Sequence, residues 1–195
     1  MATLHLAILG STMGTDMQAI IDAIEKKELD AKIDIVISNK PDAYILERAK
    51  KHNLKTLFID NKNKTREEFD EEVLVELKKY PIDLIILIGY MRILSPAFVR
   101  AFPNRILNVH PSLLPAFAGG MDMNVHEKVI KTGMKETGCT IHLVDEGVDT
   151  GKILMQKKCS VEPNDTAETL KIKVQKLERE AFVEVLKKFE NNNVW

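Results

Sequence analysis

Short apolar stretches alternate along the chain with longer segments in which apolar residues recur at helical spacing. The apolar stretches predict strands at residues 4–9, 32–38, 56–59, 84–88, 105–107, 138–144 and 152–161. The helical spacing predicts one helix that begins near residue 17 and another that ends near residue 52. Further helices are predicted at residues 65–79, 95–100, 125–132 and 168–191. Strands that alternate with helices in this way are typical of parallel βαβ units.

The composition of the strands refines this picture. Residues 84–88 read Leu-Ile-Ile-Leu-Ile, and a fully apolar strand indicates a sheet that is covered by helices on both faces. The chain contains no internal repeat, linker or low-complexity segment. We therefore predict an α/β fold with a doubly wound, mostly parallel sheet, formed by a single domain over residues 1–195.

Composition and charge exclude several classes of function. The 195 residues are 45% hydrophobic and 29% charged, as in ordinary globular proteins. The net charge of −1 gives no sign of a nucleic-acid or anionic membrane surface. The N-terminus lacks a signal-peptide pattern, and no apolar run approaches the ~20 residues that span a bilayer. We therefore expect a cytoplasmic protein. Cys139 and Cys159 lack metal-ligand spacing, so we expect no metal site.

The first turn is a candidate ligand site. Residues 10–16 read Gly-Ser-Thr-Met-Gly-Thr-Asp and connect the first strand to the first helix. A turn of this kind offers free backbone N–H groups to an anion at the helix N-terminus. The glycine fingerprint of dinucleotide-binding proteins is absent. A tight turn with a helix cap by Thr15 or Asp16 is an equally good interpretation of these residues.

The most informative segment follows the strand at residues 105–107. Residues 108–115 read Asn-Val-His-Pro-Ser-Leu-Leu-Pro, with Asn108 and His110 at the carboxyl end of a buried strand. Residues two apart in a strand point to the same side, here toward the crevice where α/β sheets bind ligands. An amide and an imidazole placed together could stabilise an oxyanion. A histidine at a strand end is also often a structural hydrogen-bonding residue, so this segment alone leaves both roles open.

Four segments together carry a resemblance that extends across nearly the whole chain. They are residues 91–96, 108–115, 138–142 and 145–151. In these segments the chain resembles the folate-dependent formyltransferases. The resemblance implies the formyltransferase fold, with a Rossmann-like N-terminal half and antiparallel last strands. It also implies a cis peptide bond before Pro115.

The resemblance further implies which residues form the site. The implied catalytic residues are Asn108, His110 and Asp149. The implied folate-binding residues are Arg66, Met91, Arg92, Ile93, Leu94, Val144, Asp145 and Glu146. The residues that would bind the acceptor substrate are Ser11, Thr12, Met13, Gly14, Thr15, Asp16, Gln175 and Glu178. His142 is a secondary candidate for orienting Asp149 or a water molecule, and a purely structural histidine is the alternative.

The activity implied by the resemblance is transfer of the formyl group of 10-formyltetrahydrofolate to the amine of glycinamide ribonucleotide, in purine biosynthesis. Both substrates are small molecules, and no metal is required. The sequence leaves open whether the protein forms a homodimer. We expect Asn108 and a protonated His110 to stabilise the oxyanion, and Asp149 to favour the cationic imidazole and to relay a proton through water. The alternatives are another amine acceptor, a formyltetrahydrofolate hydrolase, or a catalytically silent folate-binding module.

Two segments depart from the pattern of the family. In the first turn Thr12 stands where glycine is usual, and a positive φ at that position would be strained. Asp16 stands where asparagine is usual, and a carboxylate near a substrate phosphate is repulsive. Residues 118–122, which read Ala-Gly-Gly-Met-Asp, also differ from the usual loop. These departures concern the acceptor side of the site rather than the formyl chemistry.

Overall fold

The computed structural model describes residues 3–120 and 123–191. The strands of the described chain are β1 Leu4–Gly10, β2 Ala31–Ser38, β3 Thr56–Phe58, β4 Leu84–Ile88, β5 Ile106–His110, β6 Glu136–Leu143 and β7 Ile153–Ser160. Its helices are α1 Thr15–Glu25, α2 Tyr44–Lys51, α3 Arg66–Leu77, α4 Pro96–Ala101, α5 Met123–Lys131 and α6 Ala167–Glu190. No helix in these two ranges is long and apolar enough to cross a membrane.

All of these strands join one sheet, in the order β3-β2-β1-β4-β5-β6-β7. The pairs from β3 to β5 are parallel, whereas β6 pairs antiparallel with both β5 and β7. The predicted fold class is therefore confirmed, including the antiparallel last strands. The chain first builds outward from β1 to β3 and then returns to add β4 beside β1. This reversal opens a crevice at the carboxyl ends of β1 and β4.

Helices cover both faces of the sheet. One apolar core contains buried side chains of α1, α2 and α6, and the other contains those of α3 and α4. The five residues of β4 are all buried, as their unbroken apolar sequence predicts. The central strands are thus rigidly held, and the carboxyl ends of the strands provide a fixed base for the loops that follow.

The turn between β1 and α1 differs from the sequence-based interpretation that a side chain caps the helix. Gly14 is the residue before the helix and has φ 68°, and no side chain caps the helix there. Thr15 and Asp16 lie inside the first helical turn, so the prediction that one of them caps the helix is wrong. A Cβ at Gly14 would also collide with the side chain of Ile45. Among the described residues other than glycine, positive φ occurs at a few positions that do not include Thr12, so the expected strain there does not arise.

The ends of most elements agree with the sequence to within about two residues, as is usual for such boundaries. β5 includes Asn108 and His110 at its carboxyl end, as the sequence predicts. The pairing of Val109 and His110 with residues of β6 extends the strand beyond the apolar pair that predicted it. The predicted α5, at residues 125–132, begins earlier, at Met123.

The packing of α6 against the sheet generates a stability prediction. Phe182 is completely buried in the core that also contains Cys139 and Ile141 of β6. Phe182→Ala should lower the free energy of unfolding by about 3–5 kcal/mol, because it leaves a cavity that the sheet cannot fill. Urea denaturation followed by circular dichroism measures this loss.

Ile172 provides the matched control, because it lies on the same helix with 66% of its surface exposed. Ile172→Ala should change the free energy of unfolding by no more than about 0.5 kcal/mol. Equal shifts in the two variants would contradict the packing described for α6.

Candidate active site

A cavity of about 420 Å³ lies at the carboxyl ends of β1, β4 and β5. Its walls come from the turn after β1, the segment after β4, the end of β5, the loop after β6, and one face of α6. Most residues that the resemblance implicates line it: Thr12, Met13, Gly14, Thr15, Asp16, Met91, Arg92, Ile93, Leu94, Asn108, His110, Val144, Asp145, Asp149, Gln175 and Glu178.

Three implicated residues lie outside the cavity wall. Ser11 is buried behind it, where its hydroxyl donates to Asn39 Oδ1 at 2.6 Å and accepts from the Met91 N–H at 3.0 Å. Arg66 is exposed at the start of α3 and pairs with the neighbouring Glu67. Glu146 is exposed and pairs with Arg100 at 2.8 Å. Ser11 thus connects two walls of the cavity, while the other two side chains face solvent.

The antiparallel pairing of β5 with β6 brings Asn108 directly opposite His142. Asn108 Nδ2 lies 3.1 Å from His142 Nε2, and His142 Nδ1 lies 2.8 Å from the carbonyl oxygen of Leu143. A carbonyl oxygen can only accept, so Nδ1 of His142 carries a proton and Nε2 accepts from the amide in the neutral ring. His142 therefore orients the Asn108 amide and leaves the second Nδ2 hydrogen for another acceptor.

The Asp149 carboxylate is the centre of the polar cluster. Its Oδ2 lies 3.1 Å from His110 Nδ1 and accepts the Gly119 N–H at 2.8 Å, while its Oδ1 lies 3.5 Å from His142 Nε2. Burial by itself would raise the pKa of Asp149, but the hydrogen bonds from His110 and Gly119 hold this pKa well below its usual range. Asp149 is therefore ionised at neutral pH.

His110 is buried with both ring nitrogens close to hydrogen-bond acceptors. Nδ1 faces the Asp149 carboxylate, and Nε2 lies 3.1 Å from the carbonyl oxygen of Phe117. This arrangement satisfies a doubly protonated imidazolium, because each nitrogen then donates one hydrogen bond. The cationic state of His110 stays a prediction.

A second network fixes the segment after β5. Thr140 Oγ1 donates to the Ser112 carbonyl at 2.7 Å and accepts from the Leu114 N–H at 3.0 Å. Gln156 Nε2 donates to Thr140 Oγ1 and to the Leu114 carbonyl. The Leu114–Pro115 peptide bond is cis, as the resemblance implies. The last two strands therefore hold the exit of β5 against the sheet.

The segment after β4 forms an apolar wall with one half-buried cation, Arg92. Met91 and Ile93 expose 40% and 51% of their surfaces. Exposed large apolar side chains of this kind are typical of binding sites. The Arg92 guanidinium lies 4.2 Å from the centre of the Phe69 ring, and its Nε has no hydrogen-bond partner among the described residues. Such a wall suits a flat aromatic ligand that carries polar edges.

The structure also places residues in the cavity wall that the sequence did not single out. Lys40 follows the end of β2, where a ligand-contacting residue of a parallel strand is expected. Lys171 lies on the face of α6 that carries Gln175 and Glu178, at helical spacing from both. Tyr90 lies beside Arg92, and burial raises the pKa of its phenol. Helical periodicity would have found Lys171, whereas nothing in the pattern distinguishes Tyr90.

Within residues 3–120 and 123–191, no group of three or more His, Cys, Asp or Glu side chains is placed to hold a metal ion. The polar groups of the cluster instead hold one another. A fixed amide donor, an imidazole and an ionised carboxylate meet beside a large apolar wall. Such a set can stabilise negative charge that develops on a carbonyl oxygen.

The chain is similar over most of its length to proteins of one family. The formyl transferase family model matches residues 4–186. The phosphoribosylglycinamide formyltransferase of Haemophilus influenzae is 40% identical over 185 residues, which cover 94% of this chain and 86% of that protein. The crystal structure of glycinamide ribonucleotide transformylase 1 from Symbiobacterium toebii is similar with a TM-score of 0.93 and 37% identity, covering 97% of this chain and 89% of that chain.

Longer proteins contain a similar segment. The trifunctional purine biosynthetic protein adenosine-3 of Homo sapiens is 41% identical over 179 residues, which are 91% of this chain. This chain spans only 17% of the length of that relative. The match of the family model over most of the chain, together with relatives of about 40% identity, shows that the chain belongs to the formyl transferase family.

Proposed function

We propose that the protein transfers the formyl group of 10-formyltetrahydrofolate to the amine of glycinamide ribonucleotide, a step of purine biosynthesis. The observation that carries this proposal is the cluster of Asn108, His110 and Asp149 at the base of the cavity. Relatives that match most of the chain are named for this reaction. A single domain over residues 1–195 would contain the whole site.

The two walls of the cavity divide the substrates between them. The folate would lie against Met91, Arg92, Ile93, Leu94, Val144 and Asp145, where the apolar side chains and the guanidinium suit a flat polar-edged ring. The nucleotide would lie between the first turn and α6, near Gln175 and Glu178. The formyl carbon and the amine would then meet above β5, within reach of Asn108 and His110.

Attack of the amine on the formyl carbon converts the formyl oxygen into an oxyanion. His142 Nε2 accepts one hydrogen of Asn108 Nδ2. The other, which makes only a long contact of 3.5 Å with Asp149 Oδ1, would donate to this oxygen. The oxyanion would compete with the Phe117 carbonyl for the N–H of His110 Nε2. Loss of one oxyanion donor typically costs about 10²–10³ in rate.

Asp149 acts mainly through its charge in this mechanism. A carboxylate whose pKa is held well below its usual range is a weak proton acceptor, since base strength follows pKa. Its negative charge keeps His110 cationic while the oxyanion forms. A water molecule oriented by the Asp149 oxygens would carry the proton from the attacking amine to the leaving nitrogen.

An absorbance assay of purified protein with 10-formyltetrahydrofolate tests the proposed reaction. We expect loss of the formyl group only when glycinamide ribonucleotide is present, because the amine is the nucleophile. Deformylation at the same rate without the nucleotide would contradict the proposal and indicate a hydrolase. Folate binding without turnover in either condition would also contradict it.

Substitutions in the cluster test the assigned roles. His110→Ala and Asp149→Asn should each lower kcat at least about 10²-fold, because each removes or weakens an oxyanion donor. The matched control is His52→Ala, since His52 pairs with Glu25 on the surface away from the cavity. Circular dichroism should report folded protein for all three variants. Turnover near that of the wild type in either cluster variant would refute the assignment.

A further inference from the structure

Asp16 is a buried carboxyl group in the wall of the cavity. It exposes 5% of its surface, and its Oδ1 has no hydrogen-bond partner in residues 3–120 and 123–191. It lies in the first turn of α1, two residues after Gly14, which has no side chain to cap the helix. A buried polar atom without a partner is rare in proteins and points to a ligand that is not present.

The surroundings of Asp16 suit an anion. The first N–H groups of a helix have no acceptor within the helix, and Gly14 provides none from a side chain. Lys40 and Lys171 line the same cavity and add positive charge. On the proposed function, on which this inference rests, the anion is the phosphate of the acceptor nucleotide.

An ionised Asp16 would conflict with a phosphate at this place. Burial raises the pKa of Asp16 from 3.8 to about 7, and the positive charge of Arg179 on α6 only partly opposes this rise. The other titratable groups that face this region are Glu178 of α6, also buried, and Cys139 of β6. Burial raises the pKa of the Cys139 thiol to about 12, so it stays neutral. A negative Glu178 would favour the protonated form of Asp16 further.

We propose that Asp16 is a specificity-determining residue that binds the acceptor as a neutral carboxylic acid and donates its proton in a hydrogen bond to the substrate phosphate. A protonated carboxyl group has one donor and one free acceptor, like the asparagine amide that is usual at this position. The proton is taken from solvent when the nucleotide binds above neutral pH and returns to solvent when it leaves. Nucleotide affinity is therefore linked to pH through this one residue.

The test measures the KM for glycinamide ribonucleotide between pH 6 and pH 9 in the wild type and in Asp16→Asn. Above about pH 7 the wild-type KM should rise about tenfold per pH unit relative to the variant, because binding requires one proton. The phosphate of the nucleotide, whose second pKa is ≈ 6, and its amine titrate equally in the experiments with both proteins. The ratio of the two KM values therefore isolates the titration of Asp16. Asp30→Asn, which removes an exposed carboxylate outside the cavity, should keep the wild-type profile.

A second measurement does not depend on any substitution. Calorimetric titration of wild-type protein with the nucleotide, in buffers of different ionisation enthalpy at pH 8, should show uptake of about one proton. Glycinamide riboside, which lacks the phosphate, should bind with much less proton uptake.

The outcomes separate this inference from the proposed function. A KM ratio independent of pH, or nucleotide binding without proton uptake, would overturn the inference while formyl transfer stands. Equal proton uptake with the riboside would also overturn it, because the phosphate would then not be the acceptor. Absence of both nucleotide binding and transfer would refute the proposed function, and the inference with it.

Discussion

The site depends on the solvation of one carboxylate by the protein. Asp149 is largely shielded from bulk water, and its charge is stabilised by N–H groups of His110 in β5 and of Gly119 in a separate loop, while His142 of β6 lies beside it. Asp149 itself has φ 56°, a conformation that costs a residue other than glycine about 1–3 kcal/mol. The strain persists because the ionised group would lose the donors His110 and Gly119 if the loop relaxed. The carboxylate therefore joins β5, β6 and the loop containing Gly119 into one unit.

The mixed sheet is what allows these donors to converge. The reversal of the chain between β1 and β4 opens the crevice, and the parallel strands deliver β5 with its carboxyl end toward it. The antiparallel β6 then runs back beside β5 and places His142 opposite Asn108 in register. A shift of β6 by one residue would turn His142 to the opposite face of the sheet and remove the partner that orients the amide. The register of this pair is thus as important to the chemistry as the identity of its residues.

The parts of the site that depend on local periodicity could be predicted from the sequence, and the parts that depend on distant contacts could not. Strand alternation placed Asn108 and His110 on one side, and this was sufficient to locate the base of the cavity. Asp149 required the resemblance, because its role arises from long-range contacts with β5 and β6. The sequence did not identify the left-handed residue of the first turn, which is Gly14, because its closeness to Ile45 is a contact between distant segments. The exposed positions of Arg66 and Glu146 depend on local ion pairs that no pattern indicates.

The ionisation of Asp16 is decided by two opposing effects of different size. The helix N-terminus favours a negative charge in its first turn, by about 0.3–1 kcal/mol at ordinary exposure. Burial disfavours that charge, and a rise in pKa from 3.8 to about 7 corresponds to about 4 kcal/mol. Burial therefore outweighs the helix N-terminus, so that Asp16 titrates near neutral pH in the absence of ligand. A bound dianion would raise the pKa of Asp16 further. An asparagine at this position needs no such balance, so on the proposed role of Asp16 the exchange of an amide for a carboxyl group would change the pH at which the site binds phosphate and leave its shape almost unaltered.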